Sequence, residues 1–172
     1  MKNAFITTNS AQTQELGEIL AKELKGGEII CLMGELGSGK TTFAQGVLHG
    51  LGAKKPHTSP TFVVMKEYKN FSKVRPFPSP NGAVGIPQGQ TLKNVYHIDA
   101  YRVGPKDILN LGWEEIIANR NNIIIVEWAE RINRIIPKDA MWIFFKHVDN
   151  NQRKMSLSLK LKMKSAKSQL KV

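Results

Sequence analysis

Apolar positions in the first third of the chain alternate between strand-like and helix-like spacing. A short apolar run at 4–6 predicts a strand. The Leu and Ile spacing across 16–24 predicts one face of a helix, which a Thr-Asn-Ser triplet precedes and a Gly-Gly pair ends. The apolar run at 28–33 is typical of a strand buried on both faces of a parallel sheet. A second helix is predicted over 40–51.

The rest of the chain carries further strand patterns with short helical segments between them. β-rich or unbroken apolar stretches predict strands at 61–69, 94–101, 123–126, 141–148 and 155–163. Two short helices are expected on either side of Gly112, and another after the strand at 123–126. In the last strand, apolar residues alternate strictly with Ser and Lys, which predicts a half-buried strand in an antiparallel hairpin with its predecessor.

This succession of strands and helices predicts an α/β fold, and a chain of 172 residues fits one domain. We place that domain at 1–164. Residues 70–93 hold four of the eight prolines and three glycines with no acid, so we expect a surface loop insertion there. Residues 165–172 are predicted to be a basic, frayed tail.

The formal net charge of +11 is concentrated near the end of the sequence. Residues 146–172 contain eight Lys or Arg against a single acid, Asp149. Such a segment can neutralise phosphates and suggests contact with nucleic acid. A purely solubilising role is the equal alternative.

No apolar run approaches the length of a membrane span, and the N-terminal residues lack a secretory apolar core. We therefore expect a cytoplasmic protein without membrane contact. The single Cys31 excludes an internal disulfide framework, and its apolar neighbours indicate a buried packing role.

Residues 33–42, MGELGSGKTT, match G-x-x-x-x-G-K-[ST] between a predicted strand and a predicted helix. In such a loop, successive backbone N–H groups and the helix N-terminus bind phosphate. We expect Lys40 to reach the β- and γ-phosphates and the Thr41 hydroxyl to ligate Mg²⁺. The predicted nucleotide-binding residues of the loop are Gly37, Ser38, Gly39, Lys40, Thr41 and Thr42.

Two carboxylates follow predicted central strands and are candidates to hold Mg²⁺ and to orient water. Glu127 follows four apolar residues and Asp99 follows Val-Tyr-His-Ile. We assign Glu127 to the metal because its run is the more fully apolar; for Asp99, a structural ion pair with Arg102 is the alternative. The hydroxyl of Thr61 is a candidate to contact γ-phosphate or Mg²⁺, as in switch loops, unless its stretch is only a turn before a strand.

The motifs GELGSGKTT, SPTF, YHIDAYR and VEWAER, in this order, resemble the TsaE (YjeE) family of small bacterial P-loop ATPases. The resemblance covers about residues 1–145. It implies a three-layer P-loop NTPase fold with a mixed, mainly parallel central sheet, to which the predicted C-terminal hairpin is added. It also implies Mg²⁺-dependent ATP hydrolysis with TsaB and TsaD as partners. The implied product is the threonylcarbamoyl group on adenosine 37 of tRNAs reading codons that begin with A.

The family's functional positions transfer residue by residue. Lys40 and Thr41 match the P-loop lysine and the Mg²⁺-binding threonine. Thr61 matches the switch-like threonine, Asp99 the acid of the Y-H-x-D-x-Y-R motif, and Glu127 the Walker B-type acid.

Two further positions are implied, and two departures are visible. Trp128, which from the residues alone could also fill the core, matches the tryptophan beside the nucleotide, and Ser10 falls near the N-terminal nucleotide contact. The loop at 70–93 is longer than the family usually has, and Ala129 stands where proline is frequent.

Two other function classes remain open from the residues alone. A small-molecule kinase needs an acceptor pocket and usually an arginine-bearing lid, for which the loop at 70–93 offers only Arg75. An RNA-binding module that merely senses nucleotide would use the basic C-terminal segment, which is also where we expect tRNA contact in an ATPase. A guanine-reading N-K-x-D or T-K-x-D motif is absent, which favours adenine.

Overall fold

The computed structural model describes residues 3–54, 56–69, 92, 94–148 and 152–158. The predicted loop at 70–93, apart from Leu92, lies outside the described residues, as does the predicted tail at 165–172. The described strands are β1 (Asn3–Thr7), β2 (Ile29–Gly34), β3 (Met65–Lys69), β4 (Asn94–Asp99), β5 (Asn122–Glu127), β6 (Met141–His147) and β7 (Arg153–Ser158). The helices are α1 (Ser10–Ala21), α2 (Lys40–Gly50), α3 (Pro105–Asn110), α4 (Trp113–Ala118) and the 3₁₀ helix η1 (Ala129–Ile135).

One predicted strand begins later than expected. The β-rich stretch at 61–69 forms a strand only from Met65, because its first half is a turn. The backbone N–H groups of Val63 and Val64 both donate to the carbonyl of Pro60, at 2.9 and 2.7 Å. Local hydrogen bonding therefore overrides β-propensity at the start of this stretch.

The seven strands form one mixed sheet in the order β1-β7-β6-β2-β5-β4-β3. The four central strands, β6, β2, β5 and β4, run parallel to one another. β3 pairs antiparallel with β4, and β1 and β7 extend the other edge in antiparallel pairs. The predicted mixed, mainly parallel sheet and the C-terminal hairpin are confirmed.

Helices pack on both faces of the sheet, which gives the predicted three layers. On one face α1 and α2 cover the inward side chains of the central strands and of the hairpin, including Ile125, Phe145 and Met155. On the other face α3, α4 and η1 cover a second cluster, with Ile98 and Val126 at its centre. Because side chains alternate along a strand, residues 97, 99 and 127 point to the same face as α2.

The carboxyl ends of the parallel strands meet at one edge of the sheet, where the candidate carboxylates lie. Asp99 and Glu127 are direct neighbours in the pairing of β4 with β5. Leu32 of β2 pairs with Glu127, so the loop that follows β2 begins beside the same carboxylate. Ligands of open α/β sheets bind at this edge.

Helices α1 and α2 approach each other closely at small residues. A Cβ added at Gly46 of α2 would lie 2.0 Å from the carbonyl oxygen of Gln14 in α1. A Cβ added at Gly17 of α1 would lie 2.3 Å from the carbonyl oxygen of Phe43. Only glycine permits this distance between the two backbones.

We expect Gly46→Ala to lower the free energy of unfolding by about 2 kcal/mol or more, because the overpacking cost exceeds the helix-propensity gain of about 1 kcal/mol. Urea denaturation followed by circular dichroism measures it. Gly104→Ala is the matched control, since its φ is −111° and its added Cβ would come no closer than 3.8 Å to Asp107. Equal stability of the two variants would contradict the close helix contact.

The part of the chain with described coordinates contains no helix long and apolar enough to cross a membrane.

Candidate functional site

The glycine loop between β2 and α2 has a backbone that side chains would obstruct. Gly34 has φ 144° and a Cβ there would lie 2.3 Å from the Phe145 carbonyl oxygen. Gly39, which precedes the first turn of α2, has φ 102° in the left-handed region. Both positions require glycine, so the spacing of the sequence motif follows from backbone geometry.

Lys40 is held at the base of this loop. Its Nζ donates to the carbonyl oxygens of Gly34 at 2.8 Å and Glu35 at 2.7 Å, and only 4% of the residue is exposed. The ammonium also lies 3.9 Å from the ring centroid of Trp128, a cation–π contact. Burial lowers the pKa of Lys40, and the nearby carboxylate of Glu127 opposes that shift.

Three side chains from different elements form a hydrogen-bonded chain at the start of α2. The Thr41 hydroxyl donates to Oε2 of Glu127 at 2.6 Å. The other oxygen, Oε1, is 2.8 Å from Nε2 of His97 in β4. Both oxygens of this buried carboxylate therefore have a fixed partner.

The second carboxylate has a separate set of partners. Oδ2 of Asp99 accepts hydrogen bonds from the hydroxyls of Thr61 at 2.5 Å and Ser59 at 3.3 Å. Oδ1 accepts the backbone N–H of Tyr101 at 2.9 Å. Asp99 thus ties the turn at Thr61 to the end of β4.

Two non-glycine residues adopt left-handed backbone conformations beside these carboxylates. Trp128, directly after Glu127, has φ 56°, and Val64 has φ 64°. This conformation is costly for a β-branched residue and is concentrated at functional sites. The indole of Trp128 contacts both the Lys40 ammonium and the ring of Tyr101, whose centroid is 4.9 Å away.

These groups surround a cleft of about 340 Å³. Its lining is Leu36, Gly37, Gly39, Lys40, Thr41, Thr42, Thr61, Asp99, Tyr101, Arg102, Glu127 and Trp128. A larger depression of about 540 Å³ lies at the opposite edge of the sheet, beside the amino ends of β2 and β6. The larger of these two depressions is therefore not the one that contains the glycine loop and the carboxylates. The smaller cleft holds the glycine loop and both carboxylates, so we place the candidate site there.

Most of the residues predicted from the sequence meet at this cleft. Ser38 is not among the lining residues: it is fully buried in the glycine loop, and its hydroxyl has no hydrogen-bond partner among the described residues. Ser10 does not line the cleft. It is exposed at the start of α1, and the helix cap is Asn9, whose side chain accepts the N–H of Gln12. Arg102 lies over the ring of Phe62, at 5.5 Å, rather than in the ion pair proposed for Asp99.

Several contributing residues were missed by the sequence analysis. One of them is His97. Two others, Thr13 in α1 and Arg153 in β7, lie beside the glycine loop: a Cβ added at Gly39 would be 3.5 and 3.9 Å from them. His147 in β6 lies 3.4 Å from the Leu36 carbonyl oxygen. Only His97 carried a signal, because it stands two positions before Asp99 on the same face of an otherwise apolar strand.

The donor groups of the cleft fit a nucleotide with a divalent cation. The Thr41 hydroxyl and the Glu127 carboxylate are adjacent hard oxygen donors, which Mg²⁺ prefers. Lys40 supplies a cation beside the loop backbone, and the fully buried Ser38 hydroxyl is a polar group without a partner in the described part of the chain. Such residues can hold phosphate oxygens and a metal ion together.

The parallel strands, the glycine loop at the start of α2 and the two strand-end carboxylates define a P-loop NTPase fold. The family model described as "Threonylcarbamoyl adenosine biosynthesis protein TsaE" matches residues 7–155. The chain belongs to the TsaE family.

Individual relatives agree with this membership. A protein named tRNA threonylcarbamoyladenosine biosynthesis protein TsaE from Rickettsia typhi is 32% identical over 154 residues, which cover 88% of this chain and 92% of the relative. A protein of the same name from Bacillus subtilis is 30% identical over 152 residues, covering 88% and 82%. The crystal structure of YdiB from Bacillus subtilis superposes with a TM-score of 0.63 at 25% identity, over 91% of this chain and 84% of YdiB.

Proposed function

We propose that this protein is a Mg²⁺-dependent ATPase required to form the threonylcarbamoyl group on adenosine 37 of tRNAs reading codons that begin with A. It acts with the TsaB–TsaD complex in the cytoplasm. The observation that carries the ATPase proposal is the 2.6 Å contact between Thr41 and Glu127 at the end of the glycine loop. Membership of the TsaE family supports the pathway.

Each carboxylate receives one role under this proposal. Glu127 holds Mg²⁺ with Thr41, since the two side chains already touch. Asp99 orients the attacking water, because it lines the cleft together with Thr61, whose hydroxyl donates to its Oδ2. As the oxygen of water bonds to the γ-phosphorus, the bond to the β–γ bridging oxygen breaks, and Asp99 accepts the proton from water.

The remaining residues bind and orient the nucleotide. The loop from Gly37 to Thr42 surrounds the phosphates with backbone N–H groups, and Lys40 neutralises their charge. Bound Mg²⁺ stabilises negative charge on the phosphate oxygens. The Trp128 ring beside Lys40 excludes water from one side of the cleft.

Exposed apolar side chains beside the cleft support a protein partner. Leu36 in the glycine loop is 77% exposed, and Phe62 beside Thr61 is 87% exposed. Apolar side chains clustered at the rim of a site are typical of docking surfaces. We also propose that the basic hairpin contacts tRNA, where Lys146 and Lys154 face each other across β6 and β7 with exposed side chains.

The decisive experiment combines hydrolysis with product analysis. Phosphate release from ATP is measured for the protein alone and with TsaB and TsaD, and the modified adenosine in tRNA is quantified by nucleoside mass spectrometry. We expect Mg²⁺-dependent hydrolysis that increases when both partners are present. Asp99→Asn should lower turnover by about 10²-fold or more with little change in ATP affinity. Absence of hydrolysis with both partners present contradicts the proposal.

A further inference from the structure

His97 is a fully buried histidine whose imidazole hydrogen-bonds to one side chain in the described part of the protein, that of Glu127. Its side chain is 0% exposed and that of Glu127 is 2% exposed, with Nε2 to Oε1 at 2.8 Å. An ionised carboxylate can only accept hydrogen bonds, so Nε2 carries the hydrogen of this contact. The orientation of the imidazole is therefore set by Glu127.

The other ring nitrogen of His97, Nδ1, is buried and has no hydrogen-bond partner among the described residues. Burying an unpaired polar atom costs about 1–3 kcal/mol. An apolar residue at position 97 would avoid that cost but would leave the buried Oε1 of Glu127 without its hydrogen bond. The presence of histidine at this position is thus explained by its contact with Glu127.

The two hydrogen bonds to Glu127 make its oxygens unequal. Oε1 is occupied by His97 of the neighbouring strand β4, whereas Oε2 accepts the hydroxyl of Thr41 at the start of α2. A carboxylate that donates only one oxygen suits Mg²⁺, which takes few protein ligands in a strict octahedral arrangement. Ca²⁺ takes more oxygens and readily uses both oxygens of one carboxylate.

We propose that His97 is a positioning residue that restricts Glu127 to one metal-facing oxygen and so sets the preference of the site for Mg²⁺ over Ca²⁺. The inference rests on the proposed roles of Glu127 and Thr41 as metal-binding residues. Hydrogen bonds from a second residue to a metal ligand commonly change metal affinity by about 10- to 100-fold.

Two amide variants of equal chemistry and different reach test this role. The side-chain nitrogen of His97→Gln can occupy the place of Nε2, whereas His97→Asn is one methylene shorter and cannot contact Oε1. Fluorescent N-methylanthraniloyl-ATP is titrated with each variant at increasing MgCl₂ or CaCl₂, and the half-saturating metal concentrations are compared. We expect His97→Asn to raise the half-saturating Mg²⁺ concentration about tenfold or more and to lower the preference for Mg²⁺ over Ca²⁺. In His97→Gln the same concentration should stay within about threefold of the wild type.

Two further variants separate metal binding from folding. Asn122→Leu removes another buried polar side chain of the sheet, whose amide donates to the Ile116 carbonyl at 2.9 Å at the opposite end of β5. Asn122→Leu should lower the free energy of unfolding without changing the half-saturating concentration of Mg²⁺ or of Ca²⁺. If His97→Asn does not fold, His97→Leu replaces it, because an apolar residue at this position leaves no unpaired ring nitrogen. Circular dichroism melting curves report folding for all variants.

Three results would overturn the inference. The first is equal half-saturating metal concentrations for His97→Asn and His97→Gln. The second is an unchanged ratio of the Mg²⁺ and Ca²⁺ concentrations in every variant. The third is nucleotide binding by the wild type that does not depend on metal. The readout is binding and not turnover. If the wild type binds Mg²⁺–nucleotide with the expected variant pattern but hydrolyses nothing with TsaB and TsaD, the proposed function fails and the inference stands.

Discussion

Lys40→Ala is expected to weaken ATP binding by about 10- to 100-fold and to abolish measurable turnover. A hydrogen bond to a charged group contributes about 1.5–3 kcal/mol, and each 1.4 kcal/mol is tenfold in affinity. The remaining loop N–H groups still contact phosphate, so we expect residual binding. Calorimetric titration with ATP and Mg²⁺ measures the loss.

The free energy of unfolding distinguishes a loss of ATP binding in Lys40 variants from misfolding. Burial lowers the pKa of Lys40, so the folded state disfavours its charged form despite the opposing carboxylates. Lys40→Met should therefore unfold at a free energy equal to or above that of the wild type while losing nucleotide affinity. Lys54→Ala changes an exposed lysine and should leave both quantities unchanged. A Lys40→Met protein that binds ATP normally would refute the phosphate-binding role.

Glu127→Gln is expected to lower Mg²⁺-dependent turnover by about 10²- to 10³-fold, the effect of removing several kcal/mol of charge stabilisation. The amide keeps the shape of the side chain and an acceptor for the Thr41 hydroxyl, but it removes the negative charge that faces the metal. ATP hydrolysis is measured over a range of Mg²⁺ concentrations. The loss should be partly recovered at high Mg²⁺.

The same substitution should leave the fold intact. Glu127 is 1% exposed, and a neutral amide is less costly to bury than a carboxylate, so we expect the free energy of unfolding to change little. The pKa of Lys40 should fall further, because the charge that raises it most is gone. Glu115→Gln, on the exposed side of α4, is the control. Normal Mg²⁺ dependence of ATP hydrolysis by Glu127→Gln would indicate that Asp99, rather than Glu127, holds the metal.

The glycine loop and both carboxylates were predictable because each depends on local chemistry. The spacing of Gly34, Gly39 and Lys40 follows from a backbone that must turn tightly before a helix. Asp99 and Glu127 each end an apolar strand, and the carboxyl ends of parallel strands share one edge. Family resemblance then supplied roles for these positions.

Sequence patterns predicted two details of the fold and site incorrectly. Ser10 was matched to a nucleotide contact, but it is exposed at the start of α1, and Thr13, one turn into the helix, is the residue of α1 that approaches Gly39. The strand predicted from Thr61 begins only at Met65. At Ser10 the direction of the side chain decided the outcome, and at Thr61 the backbone hydrogen bonds to the Pro60 carbonyl did.

The glycine loop, the alternation of strands and helices and the two strand-end carboxylates could all be read from the sequence, since they depend on spacing within a few residues. The partner that each carboxylate takes depends instead on how the elements pack together. Thr41 meets Glu127 across 86 positions of sequence, and Thr61 meets Asp99 across 38. His97 contacts Glu127 because β4 and β5 are neighbours in the sheet. Strand order and register set these distances, and no local pattern encodes them.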